Sequence, residues 1–366
     1  MINIIKKYGI LAICLAFLII SFYVPSQLHA AKYVAANDVT NSARDMNIPI
    51  LCYHRVIPNP TSPYDLTPEQ LEAHIQYFKA NGYTPITVSQ FLEYRKKPAL
   101  FPEKPLIMTF DDGSQSHYTY MLPIMKKYGL KATFFIFPNA MGGSKERWLQ
   151  WDEVLEISRA GMDIGSHALT HPYLTVRKQN GKQMDEAQYQ VWLEKEVTQS
   201  KKLLEEKLNI PIKSLAYPFG LYNSQVETAA IKAGYSMLLN INQGLNRPQD
   251  NPYRLKRRIM THSMSLKSLE AFFAEKVLDL EIISPADGAL VSAVPTIRFR
   301  VRSPFIDTVR LEISQYQPTL KPDSNGIYTY EIPGKLRSGF QTITVRASDP
   351  GHNSYVNSWS LYYRPD

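Results

Sequence analysis

Residues 106–116 are LIMTFDDGSQS, an apolar run that ends in two adjacent aspartates, Asp111 and Asp112, and a glycine. Two ionised carboxylates at the end of a buried strand repel each other and lose solvation, so this pattern requires a compensating cation or a shared proton. Further along, SHALTHP at 166–172 supplies His167 and His171. Imidazoles four residues apart share one face of a helical turn. With one carboxylate they make the three protein ligands of an open catalytic zinc site.

The segments around these motifs alternate between strand and helix patterns. IPILCY (48–53) predicts a buried strand, and the next helix opens with Thr67 as N-cap, Pro68 at its first position and Gln70 as capping-box partner. About seven strand–helix units follow one another up to Lys276, which favours a parallel barrel or a doubly wound sheet. In a parallel barrel the chemistry lies at the carboxyl ends of the strands, where both motifs are expected.

The pattern changes after Lys276. Short segments alternate apolar and polar residues with a period of two and are separated by turn clusters. They are TIRFRV (296–301), TVRLEI (308–313), IYTYEI (327–332), QTITVRA (341–347) and SWSLYY (358–363). We therefore expect a small all-β immunoglobulin-like sandwich without its disulfide at 280–366, after an α/β domain at 48–279. It would position the α/β domain on a partner, either glycan or another protein.

The first thirty residues have the pattern of an export signal. Lys6 and Lys7 precede an uncharged apolar stretch up to Val24, and small residues follow near position 30. Because this stretch is also at the lower limit of a spanning helix, we expect a signal peptide or an N-terminal membrane anchor at 1–30 and a linker at 31–47. The protein is then secreted or held at the extracellular face of the cell envelope.

Charge and cysteine content limit the partners. The net charge is +8 and falls to +6 without residues 1–30, which hold two lysines and no acidic residue. Such a charge could draw an exported protein to cell-wall or membrane surfaces, but a solvated surface with slightly more lysine than glutamate is favoured. No basic run is interleaved with aromatic residues, so we expect no nucleic-acid partner. Removal of residues 1–30 leaves Cys52 as the single cysteine, which excludes an internal disulfide. We expect Cys52 to be a small buried apolar residue.

TFDDGS (109–114), SHALTH (166–171) and AYPFG (216–220), in this order, resemble the polysaccharide deacetylases of carbohydrate esterase family four, which share the NodB-homology domain. The resemblance covers about residues 48–276. It implies a distorted (β/α)7 barrel, a divalent metal (zinc first, cobalt or nickel as alternatives) and removal of N-acetyl groups from N-acetylhexosamine polysaccharide. LCYHRV (51–56) is similar to the subgroup that acts on exported poly-N-acetylglucosamine or cell-wall glycans.

The resemblance also implies roles for single residues. Asp112, His167 and His171 are the metal ligands, and Asp111 is the catalytic base that takes a proton from the attacking water. The oxyanion is expected at the backbone N–H of Phe219, next to Tyr217 in the same turn. His262, in RIMTHS at 258–263, is the expected acid that protonates the departing amine.

Two positions depart from the family pattern. Ala216 stands where the third motif commonly has an arginine that orients the base, and Phe219 stands where it has a tyrosine. We expect Arg258, or Arg257 beside it, to replace the missing arginine. Asp250 is a candidate for the fourth motif, although a loop role is favoured.

Other candidates have simpler interpretations. His54 could line the cleft, but a packed histidine is favoured. Trp148 and Trp151 could stack on sugar rings, but packing at a helix start is favoured.

Two rival functional classes remain. A catalytically impaired protein that binds glycan or anchors to the cell wall is suggested by the missing arginine. A glycosidase that uses Asp111 and Asp112 as its acid–base pair is disfavoured, because neighbouring residues poorly place carboxyls on opposite sides of a sugar.

Overall fold

The computed structural model describes residues 46–179 and 181–365. The predicted signal peptide or anchor at 1–30 and almost all of the predicted linker at 31–47 lie outside these residues. Among the residues described, none of the helices has the length and apolar character needed to cross a membrane.

A curled parallel sheet forms the first part of the fold. Its strands are β1 (Ile50–Tyr53), β2 (Thr84–Ile86), β3 (Pro105–Asp112), β4 (Thr133–Ile136), β5 (Asp163–Ser166), β8 (Ser214–Ala216), β9 (Met237–Leu239) and β10 (Arg258–Ile259), while β6 (Lys178–Gln179) and β7 (Lys182–Gln183) form a separate hairpin. The order along the sheet is β10–β1–β3–β4–β5–β8–β9, and β2 pairs with the start of β3. A parallel bridge joins Leu239, at the end of β9, to Leu255 in the segment before β10. The α/β class is confirmed, with the parallel sheet curled into a half-barrel.

In the described part of the chain, seven α-helices alternate with these strands. They are α1 (Pro68–Ala80), α2 (Val88–Tyr94), α3 (Leu122–Tyr128), α4 (Trp151–Arg159), α5 (Glu186–Leu208), α6 (Ser224–Lys232) and α7 (Leu266–Ala274). The predicted capping box is present at α1, where the Thr67 hydroxyl accepts from Gln70 N–H and the Gln70 side chain accepts from Thr67 N–H. Strand β3 is buried along nearly its whole length, because the strands of a parallel sheet are covered on both faces and read as continuous apolar runs.

The C-terminal layer, residues 276–363, is antiparallel for most of its length. Its strands are β11 (Lys276–Val277), β12 (Leu280–Ser284), β13 (Ala289–Val291), β14 (Thr296–Val301), β15 (Thr308–Ile313), β16 (Thr319–Leu320), β17 (Ile327–Glu331), β18 (Gly339–Ser348) and β19 (Ser354–Tyr363). They form a six-stranded and a three-stranded sheet, with a core of their own around Phe299 and Trp359. All five predicted strands are present. The immunoglobulin-like identity and the boundary at 279–280 remain predictions.

Candidate active site

The predicted motifs meet in one cleft at the carboxyl ends of the parallel strands. The cleft has a volume of about 310 Å³, and its lining includes the aspartates that end β3 and the histidines that follow β5. The turn after β8, with Tyr217 and Phe219, also lines it. Side chains separated by more than a hundred residues therefore share one small space, as expected for an active site of this class of fold.

Asp112, His167 and His171 form a group with the composition of a metal site. Asp112 Oδ1 lies 3.6 Å from His167 Nε2 and 3.4 Å from His171 Nε2. These separations exceed normal hydrogen bonds, but ligands bonded at about 2.0–2.2 Å to one tetrahedral zinc lie about 3.3–3.6 Å apart. The observed spacing fits a single small cation.

The hydrogen bond of His167 and the burial of His171 favour a metal. His167 Nδ1 lies 2.7 Å from the carbonyl oxygen of Ala216, which can only accept, so Nδ1 carries a proton and Nε2 faces the cleft. Burial, together with the neighbouring His167, lowers the pKa of His171 below its ordinary value. A neutral imidazole is the form that binds a metal.

Asp111 faces a different set of partners. Its two oxygens each accept a hydrogen bond of 2.8 Å from Arg257, and the Cys52 thiol donates to Oδ2 at 3.4 Å. Burial alone would raise the pKa of Asp111, but the charge of Arg257, the nearby His167 and the hydrogen bonds from Arg257 hold it below its ordinary value. Asp111 is therefore an ionised carboxylate that is fixed in position.

Arg257, and not the expected Arg258, supports Asp111. The Arg258 guanidinium lies over the ring of Phe272, on the side of α7, at 5.6 Å from the ring centroid. Adjacent residues of an extended chain point to opposite faces, so only one of the two arginines can enter the cleft. The prediction of Arg258 is corrected to Arg257, which was the alternative beside it.

The expected acid His262 does not lie in the cleft. It is exposed, its Nδ1 lies 3.1 Å from Gln70 Oε1, and its backbone N–H donates to the carbonyl of Pro63. The chain after β10 turns towards α1 instead of crossing the carboxyl end of the sheet. His54 occupies the cleft instead, with Nδ1 buried and without a protein partner.

His117, which the sequence analysis did not single out, positions His54. It is fully buried, and its Nε2 donates to the His54 carbonyl at 2.9 Å. Burial lowers the pKa of His117 to about 4, so the ring is neutral at physiological pH. The signal in the sequence was a histidine five residues after Asp112, in the turn that leads into α3.

The remaining candidates have mostly structural surroundings. Asp250 accepts hydrogen bonds from the backbone and side chain of Arg247, outside the cleft lining. The ring of Trp148 packs edge-on against Phe137 at 5.1 Å. Cys52 is buried as expected, and it also reaches the cleft and the base.

Strained backbone is concentrated at the site. Asp112, Ala168, His171 and Phe219 have φ between 57° and 81° without being glycine. Such residues each cost about 1–3 kcal/mol and persist where the surrounding structure fixes them. In the Phe219 turn, Gly220 N–H donates to the Tyr217 carbonyl at 2.8 Å, which holds the Phe219 side chain at the cleft rim.

Comparison with known proteins agrees with this geometry. A family model described as polysaccharide deacetylase matches residues 100–238. The chain is 31% identical over 228 residues to YxkH of Bacillus subtilis, a protein named as a polysaccharide deacetylase; the match covers 62% of this chain and 75% of that protein. It is 27% identical over 222 residues to the poly-beta-1,6-N-acetyl-D-glucosamine N-deacetylase of Staphylococcus epidermidis, covering 58% and 75%. A de-N-acetylase structure from Aggregatibacter actinomycetemcomitans has a TM-score of 0.56 at 20% identity and covers 62% of this chain and 99% of its own. That last similarity concerns the fold.

Proposed function

Because the chain belongs to the polysaccharide deacetylase family, we propose that it hydrolyses N-acetyl groups of an N-acetylhexosamine polysaccharide and releases acetate. Poly-N-acetylglucosamine, peptidoglycan and chitin-like glycan are the candidate polymers, and the name of the Staphylococcus epidermidis relative favours the first. One observation carries the proposal: Asp112 Oδ1 lies within 3.6 Å of both imidazoles, whereas both oxygens of Asp111 are held by Arg257. His167 also lies near Asp111, with Nε2 3.7 Å from Oδ2.

We infer that Asp112, His167 and His171 hold a divalent metal, with zinc before cobalt or nickel. When bound, the metal supplies a Lewis acid for the acetamide carbonyl and lowers the pKa of a water. One carboxylate and two neutral imidazoles leave an open position for substrate. The hydrogen bond from His167 Nδ1 to a backbone carbonyl supports this assignment, because such a partner fixes the orientation of a ligating ring.

Asp111 acts as the general base. Its Oδ1 has a free lone pair beside the one used by Arg257, since a carboxylate oxygen accepts two hydrogen bonds, whereas Oδ2 also accepts from the Cys52 thiol. It takes the proton of the water that attacks the acetamide carbon. The bidentate contact with Arg257 keeps the carboxylate in a single orientation while the proton moves.

The acid that protonates the departing amine is His54. It lies in the same cleft as Asp111, and its unpaired Nδ1 is free to carry or deliver a proton. The hydrogen bond that His117 donates to its carbonyl holds the residue in place. For Phe219 we retain the expected role, in which its backbone N–H stabilises the developing oxyanion.

Acetate release from purified protein on the three candidate polymers tests the function. Asp111→Asn is expected to retain metal and lose turnover, whereas His167→Ala is expected to lose both. Acetate from at least one polymer supports the proposal. Absence of acetate from all three, in protein that contains a full equivalent of metal, favours the alternative of a catalytically impaired protein that binds glycan or anchors to the cell wall. Equal loss of metal in the two variants overturns the division of roles.

We also propose that the enzyme works outside the cytoplasm, secreted or held at the cell envelope. The proposal rests on the charged and apolar pattern of residues 1–30 and on the candidate polymers, which are surface glycans. Detection of the protein in the culture medium and envelope fractions would support it, and confinement to the cytoplasmic fraction would contradict it.

A further inference from the structure

An aromatic pair extends the rim of the cleft into solvent. The rings of Tyr173 and Phe219 are stacked, with centroids 3.9 Å apart and an angle of 11° between their planes. Phe219 lines the cleft, and its ring centroid lies 4.6 Å from that of His171. Tyr173 lies beyond Phe219, so the stack leads from a candidate metal ligand outwards to the surface.

Both rings are more exposed than large apolar side chains normally are when they serve packing alone. Tyr173 is 52% exposed and Phe219 is 41% exposed. Parallel stacking covers one face of Tyr173, so the exposed area belongs to its other face and its edge. Phe219 adopts a left-handed backbone conformation that non-glycine residues rarely use. The strained turn therefore presents an aromatic ring to solvent, which burial does not explain.

The opposite rim of the cleft is also aromatic. Tyr64 is 48% exposed, lines the cleft and lies next to His54, with ring centroids 5.5 Å apart. A linear molecule that crosses the cleft over the aspartates would thus meet an aromatic ring on each side. The cleft volume of about 310 Å³ is at the lower end of ligand pockets, so most of a polymer has to lie outside it.

From these observations we propose that Tyr173, supported by Phe219, is a binding platform for the sugar next to the residue that is deacetylated. This inference rests on the proposed function and specifies how a polymer is held. The C–H face of a pyranose ring packs well on an exposed aromatic face. Two side chains are far too small an area for a stable protein partner, which needs about 800 Å² on each side. The continuity of the platform with the cleft makes the glycan its occupant.

Direct binding tests the platform separately from turnover. The probe is a pentamer of N-acetylglucosamine, titrated into metal-loaded protein in the Asp111→Asn background so that the ligand stays intact. Tyr173→Ala is expected to raise Kd about three- to tenfold, the range that one aromatic stacking contact provides. Tyr173→Phe keeps the ring and is expected to bind as the parent does. Phe305→Ala removes an aromatic side chain that is 85% exposed in the C-terminal layer and serves as the matched control.

Each outcome decides the inference. Unchanged Kd in Tyr173→Ala, equal weakening in Tyr173→Phe, or absence of pentamer binding by the parent would overturn it. Melting temperature and metal content are measured for every variant and identify a loss of pentamer binding that comes from misfolding. If Tyr173→Ala misfolds, the Kd of Tyr173→Phe decides. Acetate release by the protein with Asp111 intact is recorded separately. Pentamer binding that depends on Tyr173 without any acetate release would contradict the proposed function and leave the platform supported.

Discussion

Replacement of Arg257 by methionine tests the electrostatic environment of Asp111, the proposed base. Arg257 and Asp111 are 1% and 2% exposed, and Arg257 holds both carboxylate oxygens at 2.8 Å. Removal of one partner from a buried ion pair costs about 3–5 kcal/mol, because the remaining charge is left without compensation. Arg257→Met also leaves the Asn240 carbonyl without its donor. We therefore expect a loss of about 4–5 kcal/mol in the free energy of unfolding.

Urea unfolding at neutral pH without added metal measures this loss in Arg257→Met, Asp111→Asn and the double variant. The double variant has no buried charge at either position, so its loss is expected to be smaller than the sum of the single losses by about 2–3 kcal/mol. Arg257→Lys is the matched control: it keeps the charge, loses the two-pronged hydrogen bond and is expected to lie between wild type and Arg257→Met. A loss below about 1 kcal/mol in Arg257→Met, as for an exposed pair, or additive losses in the double variant, would refute the reasoning.

Three further results are expected. Burial lowers the pKa of His74 from 6.5 to about 4. Because the folded state favours the neutral ring, the contribution of His74 to the free energy of unfolding is complete above pH 6.5 and is lost as the pH falls towards 4. Urea unfolding across that window is expected to show that the free energy of unfolding declines by about 3 kcal/mol less in His74→Leu than in wild type. Equal declines in the two proteins would contradict this expectation. A Cβ on Gly220, at φ +69°, would lie 2.1 Å from Ile241 Cγ1, whereas a Cβ on Gly326, at φ +74°, would meet open space. In urea unfolding, Gly220→Ala is expected to lower the free energy of unfolding by about 2–4 kcal/mol and Gly326→Ala by about 1 kcal/mol. Equal losses would count against the clash at Gly220. Dialysis against a chelator is expected to abolish acetate release and Zn²⁺ to restore it, and chelator-resistant release from metal-free protein would exclude the proposed metal role.

Local sequence patterns predicted the framework well. The helix start at Thr67 follows from a capping box, and the continuous apolar run of β3 follows from burial on both faces of a parallel sheet. The meeting of one of the two adjacent aspartates with His167 and His171 was predictable as well, because the carboxyl ends of parallel strands meet at one edge. The choice of Asp112 came from the family resemblance. In each case the information lies within a few residues or in the direction of the strands.

The supporting residues depended on details that sequence patterns do not contain. Arg257 and Arg258 are neighbours, and the choice between them follows from the register of β10, in which Arg258 pairs with Leu51 of β1. His54 and His262 both follow strands, yet only the chain after β1 stays at the cleft. A prediction of the acid therefore needs the path of a loop, which is set by tertiary packing.

The C-terminal layer, which the sequence presents as an appended unit, is connected to the proposed base, Asp111, by buried polar groups. Ser360 Oγ donates to Asn242 Oδ1 at 2.8 Å, and Asn242 N–H donates to Asn240 Oδ1 at 2.9 Å. The Asn240 carbonyl in turn accepts from Arg257 Nε at 3.1 Å, and Arg257 holds Asp111. A buried polar group is costly when it loses its partner, so each contact constrains the next. The orientation of Asp111 therefore depends on a strand of the C-terminal layer as well as on the parallel sheet that carries the aspartate.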